Sequence, residues 1–117
     1  MRVIIAGSRD ITDYDIVSKA VMASGWFDDM TYVISGAAQG VDTIGERFAN
    51  EHHILVKRYP ADWKGWGKRA GFIRNQEMAL NADGLIAVCD GKSKGTLNMI
   101  EIMQALDLPV FIWRVKK

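Results

Sequence analysis

The sequence predicts an α/β domain of Rossmann-like, three-layer architecture, in which helices cover both faces of a parallel sheet of about five strands. Short apolar runs alternate with stretches of helical spacing along the chain, and this alternation indicates crossovers between parallel strands. Several apolar runs are continuous, which is typical of strands buried on both faces. The 117 residues, 49% of them apolar, suffice for a single domain over 1–117 with its own core.

Strand character recurs in five segments, each bounded by polar or glycine-containing stretches. They are RVIIA (2–6), YVIS (32–35), ILVKR (54–58), GLIAVC (84–89) and VFIWRV (110–115). The most irregular connection, YPADWKGWGKRAG (59–71), is predicted to be a longer loop with Trp63 and Trp66. Long loops in compact domains often carry function.

Helical spacing fills the gaps between the strands. The first helix is expected over 13–24, where Thr12 and Asp15 resemble a capping box and Gly25 suits the end. The second and third are expected over about 40–52 and about 68–80.

The last helix is expected to begin near Thr96 and to end before Pro109, which cannot continue a helix. Its predicted inner face consists of Leu97, Ile100, Met103 and Leu106.

Composition narrows the functional classes. The formal net charge of +1 gives no case for a nucleic-acid-binding protein. Cys89 lies in an apolar run and fits a reducing, cytoplasmic setting. We expect no membrane partner, since no apolar run reaches the roughly 18 residues of a span. His52 and His53 end a helix without further metal ligands, so neither a metal nor a cofactor is expected.

Three turns that follow predicted strands are rich in small and polar residues. In an open parallel sheet these turns meet at one edge, where ligands bind and helix N-termini point. The turns are GSRD (7–10), SGAAQGVD (35–42) and DGKSKGT (90–96). Their candidate ligand-binding residues are Gly7, Ser8, Arg9, Ser35, Gly36, Gly40, Asp42, Gly91, Lys92, Ser93, Gly95 and Thr96. The pattern favours a nucleotide-type ligand over ordinary tight turns.

Two familiar phosphate-binding motifs are absent. GKS at 91–93 resembles the end of a P-loop, but Ile86 stands where that motif needs a glycine. SGAAQG lacks the G-x-G spacing of the dinucleotide fingerprint. The sequence therefore predicts neither a P-loop NTPase nor an ordinary dehydrogenase.

The segments GSR (7–9), SGAAQGVD (35–42), YPADW (59–63) and RAGFIRNQEM (69–78), with the GT at 95–96, resemble the SLOG superfamily. The resemblance extends over nearly the whole chain and is strongest to the small, single-domain YspA-like members. It implies a nucleotide-binding domain, related to the "lonely guy" phosphoribohydrolases and to the DprA recombination mediators.

The resemblance assigns roles to residues near the third helix and the last turn. Arg74, shortly before Ala82 and Asp83, matches an arginine of the phosphoribohydrolases. Those enzymes carry a PGGxGT-type loop followed closely by a glutamate, whereas this chain has DGKSKGT followed by Asn98 and Met99. Cleavage of an N-glycosidic bond needs a carboxylate to stabilise charge or activate water. The resemblance thus implies binding more than hydrolysis.

Each remaining candidate has a functional and a structural interpretation. Arg74 is either a phosphate or ribose clamp or a solvated charge, and Asn75 either binds a sugar hydroxyl or caps a loop. Asp42 either anchors a ribose hydroxyl or complements the N-terminus of the second helix. Lys92, Ser93 and Thr96 either donate to phosphate or, for Thr96, cap the last helix. Asp62 and Trp63 either flank a base or close the loop. Replacement carboxylates for catalysis, all weak candidates, are Glu46, Glu77 and Glu101.

Three functions follow in order of preference. The first is a sensor or sequestering module for a nucleotide-derived ligand such as a nucleoside phosphate, NAD or ADP-ribose. The second is a nucleoside 5′-monophosphate phosphoribohydrolase that releases free base. The third is single-stranded nucleic acid binding, through Trp63 and Trp66 with nearby basic residues. A homo-oligomer is expected by analogy with the relatives, with Met99, Met103 or Trp26 at the interface.

Overall fold

A computed structural model describes residues 1–116 and confirms the predicted fold class. Five parallel strands form one sheet in the order β3-β2-β1-β4-β5. The strands are β1 (Arg2–Gly7), β2 (Tyr32–Ser35), β3 (Leu55–Arg58), β4 (Gly84–Cys89) and β5 (Val110–Arg114). The six residues of β4 are all buried, because β4 is central and covered on both faces.

Helices cover both faces of this sheet. They are α1 (Tyr14–Ser24), α2 (Val41–Glu51), α3 (Trp63–Trp66), α4 (Ala70–Leu80) and α5 (Lys94–Ala105). Single 3₁₀ turns lie at Phe27–Asp29 and Gly67–Arg69. In this part of the chain, 1–116, no helix is long and apolar enough to cross a bilayer.

The core is divided by the sheet into two layers, as alternate strand residues point to opposite faces. Val3 and Ile5 of β1 pack with α1 and α2 around the fully buried Phe48. Ile4 and Ala6 pack with α4 and α5 around Met78 and other buried methionines. The two layers fix the helices on either side of the same sheet edge.

The strand order places a switch point next to β1. The chain builds outward from β1 to β3 on one side and then crosses to β4 on the other side of β1. Helices that follow β1 and β4 therefore leave the sheet on opposite faces, and a crevice opens between the carboxyl ends of these strands. The candidate turns border this crevice.

Helix boundaries follow the predicted caps with two corrections. The N-cap of α1 is Asp13 rather than Thr12, since the Asp13 carboxylate accepts a hydrogen bond of 2.9 Å from the Asp15 backbone N–H. Gly25 ends α1 at φ 77°, the left-handed conformation that glycine adopts at least cost.

The last helix begins two residues earlier than predicted. Ser93 is its N-cap and accepts hydrogen bonds from the backbone N–H and the hydroxyl of Thr96, at 3.4 and 3.0 Å. The inner face of α5 also differs from the prediction. Leu97 and Leu106 are exposed, whereas Met99 is buried beside Ile100 and Met103.

Burial also corrects the expected self-association surface. Met99 and Met103 are 1% and 0% exposed, so neither side chain is available to a partner. Trp26 is half-buried against the layer that contains α1 and α2. The predicted loop 59–71 is not irregular either, because α3, a 3₁₀ turn and the start of α4 lie within it.

The close approach of β1 to β4 allows no side chain at Gly7. A Cβ added there would lie 1.8 Å from the Val88 carbonyl oxygen. We expect Gly7→Ala to lower the free energy of unfolding by at least about 3 kcal/mol, because backbone must move to accept it. Urea denaturation followed by circular dichroism measures this. Gly95→Ala is the control, since a Cβ at Gly95 meets nothing within 4 Å, and equal stability of the two variants would contradict the prediction.

Candidate functional site

The crevice at the switch point is a cleft of about 550 Å³. Its walls come from the turns after β1 and β4, from the loop before α2, from the middle of α4 and from the first turns of α5. The sequence candidates that line it are Gly7, Ser8, Arg9, Asp42, Arg74, Asn75, Lys92, Ser93, Gly95 and Thr96. Residues scattered over ninety positions of the sequence are thus brought together at one edge of the sheet.

Ser8 joins three of the segments that form this cleft, which are the turn after β1, the start of α2 and the end of β4 with its turn. Its backbone N–H donates to the Val88 carbonyl at 3.1 Å, and its own carbonyl accepts from Ile11 and Val41 at 3.4 and 3.3 Å. Its hydroxyl contacts the Asp90 carboxylate at 3.3 Å and accepts from the Asp90 N–H at 3.2 Å. Buried at 2% exposure, Ser8 positions the surrounding turns.

Asn75 fixes the opposite wall. Its side-chain amide donates to the Gly95 carbonyl at 3.1 Å and to Asn98 Oδ1 at 2.9 Å, and its own oxygen accepts from Arg74 Nε at 3.0 Å. It is 4% exposed. These bonds fix the first turn of α5 against α4, so the turn after β4 cannot shift independently of Arg74.

Asp42 and Arg74 form the charged floor of the cleft. Burial raises the pKa of Asp42 to about 6, while the hydrogen bond from the Ala38 N–H and the charge of Arg74 act in the opposite direction. Burial lowers the pKa of Arg74, and Asp42 opposes that shift. Arg74 Nη1 also donates to the Gly36 carbonyl at 2.5 Å. The guanidinium is therefore held in place before any ligand arrives.

Glycine at position 36 makes room for this pair. A Cβ added to Gly36 would lie 2.8 Å from both Arg74 Nη1 and Asp42 Oδ2. The next residue, Ala37, has φ 60°, which an L-residue adopts only at a cost of about 1 kcal/mol or more. Close approach and strain thus coincide in the loop before α2.

The N-terminus of α5 opens directly into the cleft. Its first N–H groups have no acceptor within the helix and face anions favourably. Lys92 and Lys94 flank this turn, and both are exposed. Gly95 leaves the surface uncovered, so a bound group can approach the backbone closely.

A second, smaller depression of about 290 Å³ adjoins the cleft. The two share Arg9, Ala38 and Arg74 as a common wall. Small residues line the depression, and the indole of Trp63 closes its outer side with half of its surface exposed. Arg9, Gln39 and Arg74 give the depression a largely polar lining, to which Trp63 adds an aromatic surface.

Several predicted ligand residues lie beside the cleft rather than in its wall. Ser35 is fully buried and donates to Glu46 at 2.6 Å. A Cβ at Gly40 would lie 2.4 Å from the carbonyl oxygens of Ser8 and Arg9, so Gly40 allows these turns to pack. Asp62 is the N-cap of α3 and accepts from the Gly65 N–H at 2.9 Å. Gly91 packs under the guanidinium of Arg114.

The three glutamates considered for catalysis do not line the cleft. Glu46 is paired with Arg58 at 3.2 Å and with Ser35. Glu77 and Glu101 are exposed on α4 and α5. Within residues 1–116, the carboxylates that line the cleft are instead Asp10, Asp42 and Asp90.

Sequence reasoning missed Asp10, Asp90, Asn98 and Lys94 as residues of the site. Asp10 is the last residue of one candidate turn, Asp90 is the first residue of another, and Lys94 lies inside the latter, so position alone was a usable signal. Asn98 is found only through its bond to Asn75, a contact across 23 positions. No local sequence pattern predicts this role of Asn98.

Known proteins place the chain in a family. The model of the YspA, cpYpsA-related SLOG family (YAcAr) matches residues 1–66, which is more than half of the chain. The chain belongs to this family. The Gene 61 protein of Mycobacterium phage D29 is 32% identical over 119 residues, covering 93% of each chain. No solved structure matches. Family membership indicates nucleotide-related binding or processing.

The raised pKa of Asp42 has a consequence for stability. Burial raises the pKa of Asp42 from its ordinary value of 3.8 to about 6, so the folded state holds the proton more tightly than the unfolded state. The contribution of Asp42 is therefore greatest below pH 4 and is lost as the pH rises through 6, by up to about 3 kcal/mol. Asp42→Asn stays neutral and escapes this loss.

We therefore expect the stability of Asp42→Asn relative to the wild type to increase between pH 4 and pH 7. Urea denaturation of both proteins at several pH values measures the difference. Carboxylates with lowered pKa, such as Asp83 and Asp90, are common to both proteins and cancel. A difference that does not change with pH would contradict the shift.

Proposed function

We propose that this protein binds a nucleotide or a nucleotide-derived ligand at the carboxyl edge of its sheet, as a cytoplasmic sensor or sequestering module. The observation that carries the proposal is the continuity of two unlike sites. A cleft with two arginines and two lysines at the N-terminus of α5 shares the wall of Arg9, Ala38 and Arg74 with a depression that contains the indole of Trp63. Phosphate and base are the chemical groups that match such a pair.

The phosphate would lie at the first turn of α5. Backbone N–H groups and the helix dipole favour an anion there, and Ser93 and Thr96 stand beside it. Arg9 and Arg74 supply guanidinium groups, which bind phosphate oxygens in pairs. Arg9 is exposed and thus free to close on a ligand, whereas Arg74 is already positioned by Gly36 and Asn75.

The sugar would lie between the two sites, over Asp42. An ionised carboxylate accepts hydrogen bonds from ribose hydroxyls, and the neighbouring guanidinium of Arg74 favours the ionised form of Asp42. The base would then stack on Trp63, whose π face offers sequence-tolerant stacking. Gln39 at the rim adds one amide for the edge of the base.

A matched pair of ligands separates these contributions. We expect Arg9→Gln to weaken the binding of both AMP and ribose 5-phosphate by about tenfold, because it removes a charge-assisted hydrogen bond. We expect Trp63→Ala to weaken the binding of AMP by about tenfold and to leave the binding of ribose 5-phosphate unchanged, because the variant removes only the stacking of the base. Isothermal titration calorimetry measures all four affinities.

Trp66→Ala is the control for Trp63→Ala. Trp66 lies on the same short helix and is exposed to a similar degree, but it does not line the depression. Equal effects of the two tryptophan variants on AMP would refute the base site. Absence of any nucleotide binding by the wild type would refute the proposal as a whole.

Hydrolysis is the second candidate, and one observation favours it. Asp42 is a buried carboxyl group in the cleft with a pKa of about 6, as suits a group that exchanges a proton near neutral pH. It would replace the glutamate that the phosphoribohydrolases carry. Release of free base from AMP, abolished in Asp42→Asn while AMP still binds, would establish this activity in place of simple binding.

The arrangement of Trp66 argues against nucleic acid as the main ligand. The guanidinium of Arg69 lies over its ring, with Cζ 6.0 Å from the ring centroid. A stacking platform for successive bases needs several open rings. A steep salt dependence of oligonucleotide binding would instead indicate that nucleic acid is the main ligand.

We also propose that the protein forms a homo-oligomer, as its relatives suggested. Exposed leucines on the helices of one face support this, above all Leu80, which is 75% exposed on α4. Light scattering coupled to gel filtration should give a multiple of 13.1 kDa. Leu80→Glu should reduce the measured mass to that of the monomer. Leu55→Glu, on the edge strand β3, serves as the control. A wild-type monomer would overturn the proposal.

A further inference from the structure

The main cleft continues past the turn after β4 into a third depression, of about 460 Å³. Its lining residues are Asp90, Lys92, Arg114, Val115 and Lys116. Asp90 and Lys92 also line the main cleft, so the two spaces meet at this turn. We refer to this third space as the Arg114 depression. Its position at the end of β5 lies outside every motif in the sequence.

Arg114 is brought to this place by the end of the sheet. It pairs in register with Cys89, and the Val115 N–H donates to the Cys89 carbonyl at 2.9 Å. The side chain then lies across the turn after β4. The position that a Cβ would occupy on Gly91 is 2.4 Å from Arg114 Nη2 and 2.7 Å from Cζ. Gly91, at φ 84°, therefore provides both the turn and the space for the guanidinium.

Positive charge dominates the depression. The described lining residues include three cations, Lys92, Arg114 and Lys116, against the single carboxylate of Asp90. That carboxylate accepts hydrogen bonds from the Lys92 N–H at 2.9 Å and from the Ser8 hydroxyl at 3.3 Å. Within residues 1–116, no carboxylate forms a salt bridge with Arg114.

The location of these cations relative to α5 indicates which class of ligand they would bind. The first phosphate site proposed above lies at the start of α5, and Lys92 stands between it and Arg114. A ligand with one phosphate fills the first site and leaves Arg114 unused. A ligand with two linked phosphates extends past Lys92 to the guanidinium, which presents several N–H donors to phosphate oxygens.

We propose that the Arg114 depression binds a second phosphate group, so that the ligand of this protein carries at least two linked phosphates. This inference rests on the proposed nucleotide site and names its ligand class. Nucleoside diphosphates and pyrophosphate-linked nucleotides share the required chemistry. A nucleoside monophosphate, by contrast, lacks it.

The experiment compares ADP with AMP, and inorganic pyrophosphate with inorganic phosphate, by calorimetry at low salt. The proteins are the wild type, Arg114→Gln, Arg114→Lys and Arg47→Gln. Arg47 pairs with Glu51 on α2 and lines neither space, so its variant controls for the loss of one charge. Circular dichroism verifies that each variant is folded.

We expect the wild type to bind ADP at least tenfold more tightly than AMP, and pyrophosphate more tightly than phosphate. Arg114→Gln should weaken the binding of ADP and pyrophosphate by about tenfold and leave the binding of AMP unchanged. Arg114→Lys should retain part of the preference for two linked phosphates, and Arg47→Gln should retain all of it. Equal wild-type affinities for AMP and ADP, or equal losses for both in Arg114→Gln, would overturn the inference and leave the proposed function standing. Pyrophosphate binding that depends on Arg114, without any nucleotide binding, would instead overturn the proposed function and leave the phosphate site at Arg114 standing.

Discussion

The architecture of the site depends on how closely the carboxyl ends of β1 and β4 approach each other. Gly7 has no side chain, so the Val88 carbonyl lies where a Cβ would be, and Ser8 can then donate its N–H to that carbonyl. From this point the Ser8 carbonyl reaches the first N–H of α2, and its hydroxyl reaches Asp90. Three separate turns are thereby fixed by one buried residue, because buried backbone groups must be paired.

This rigidity explains how charged groups can be held at the bottom of the cleft. Asp42 is buried at a cost that its raised pKa expresses. Arg74 offsets part of the cost and is itself held by the Gly36 carbonyl and by Asn75. Strain at Ala37 in the same loop adds to the energy stored there. Preorganised charges of this kind weaken the free protein but reduce the ordering that a ligand must cause.

The fold was predictable because each strand signal was local. Continuous apolar runs indicated strands buried on both faces, and the caps Gly25 and Pro109 bounded the helices between them. The start of α5 was misplaced, since Ser93 and Thr96 are both good N-caps and the sequence alone does not choose between them. Leu97 is exposed and Met99 buried because the packing of α5 against α4 and the sheet selects the inner face. Contacts across long separations, such as Glu46 with Arg58 and Asn75 with Asn98, had no local signal.

The position of the carboxylates bears most directly on binding versus chemistry. Glycoside-type cleavage needs a carboxylate that faces the anomeric carbon and a site that admits water on the correct side. Glu46 is occupied by Ser35 and Arg58, and Glu77 and Glu101 face solvent. The carboxylate on the floor, Asp42, instead stands beside Arg74; burial raises its pKa to about 6, and the charge of Arg74 opposes part of that shift. An acceptor held between a guanidinium and a backbone N–H is suited to bind a hydroxyl, and this arrangement supports the proposal of nucleotide binding over that of hydrolysis.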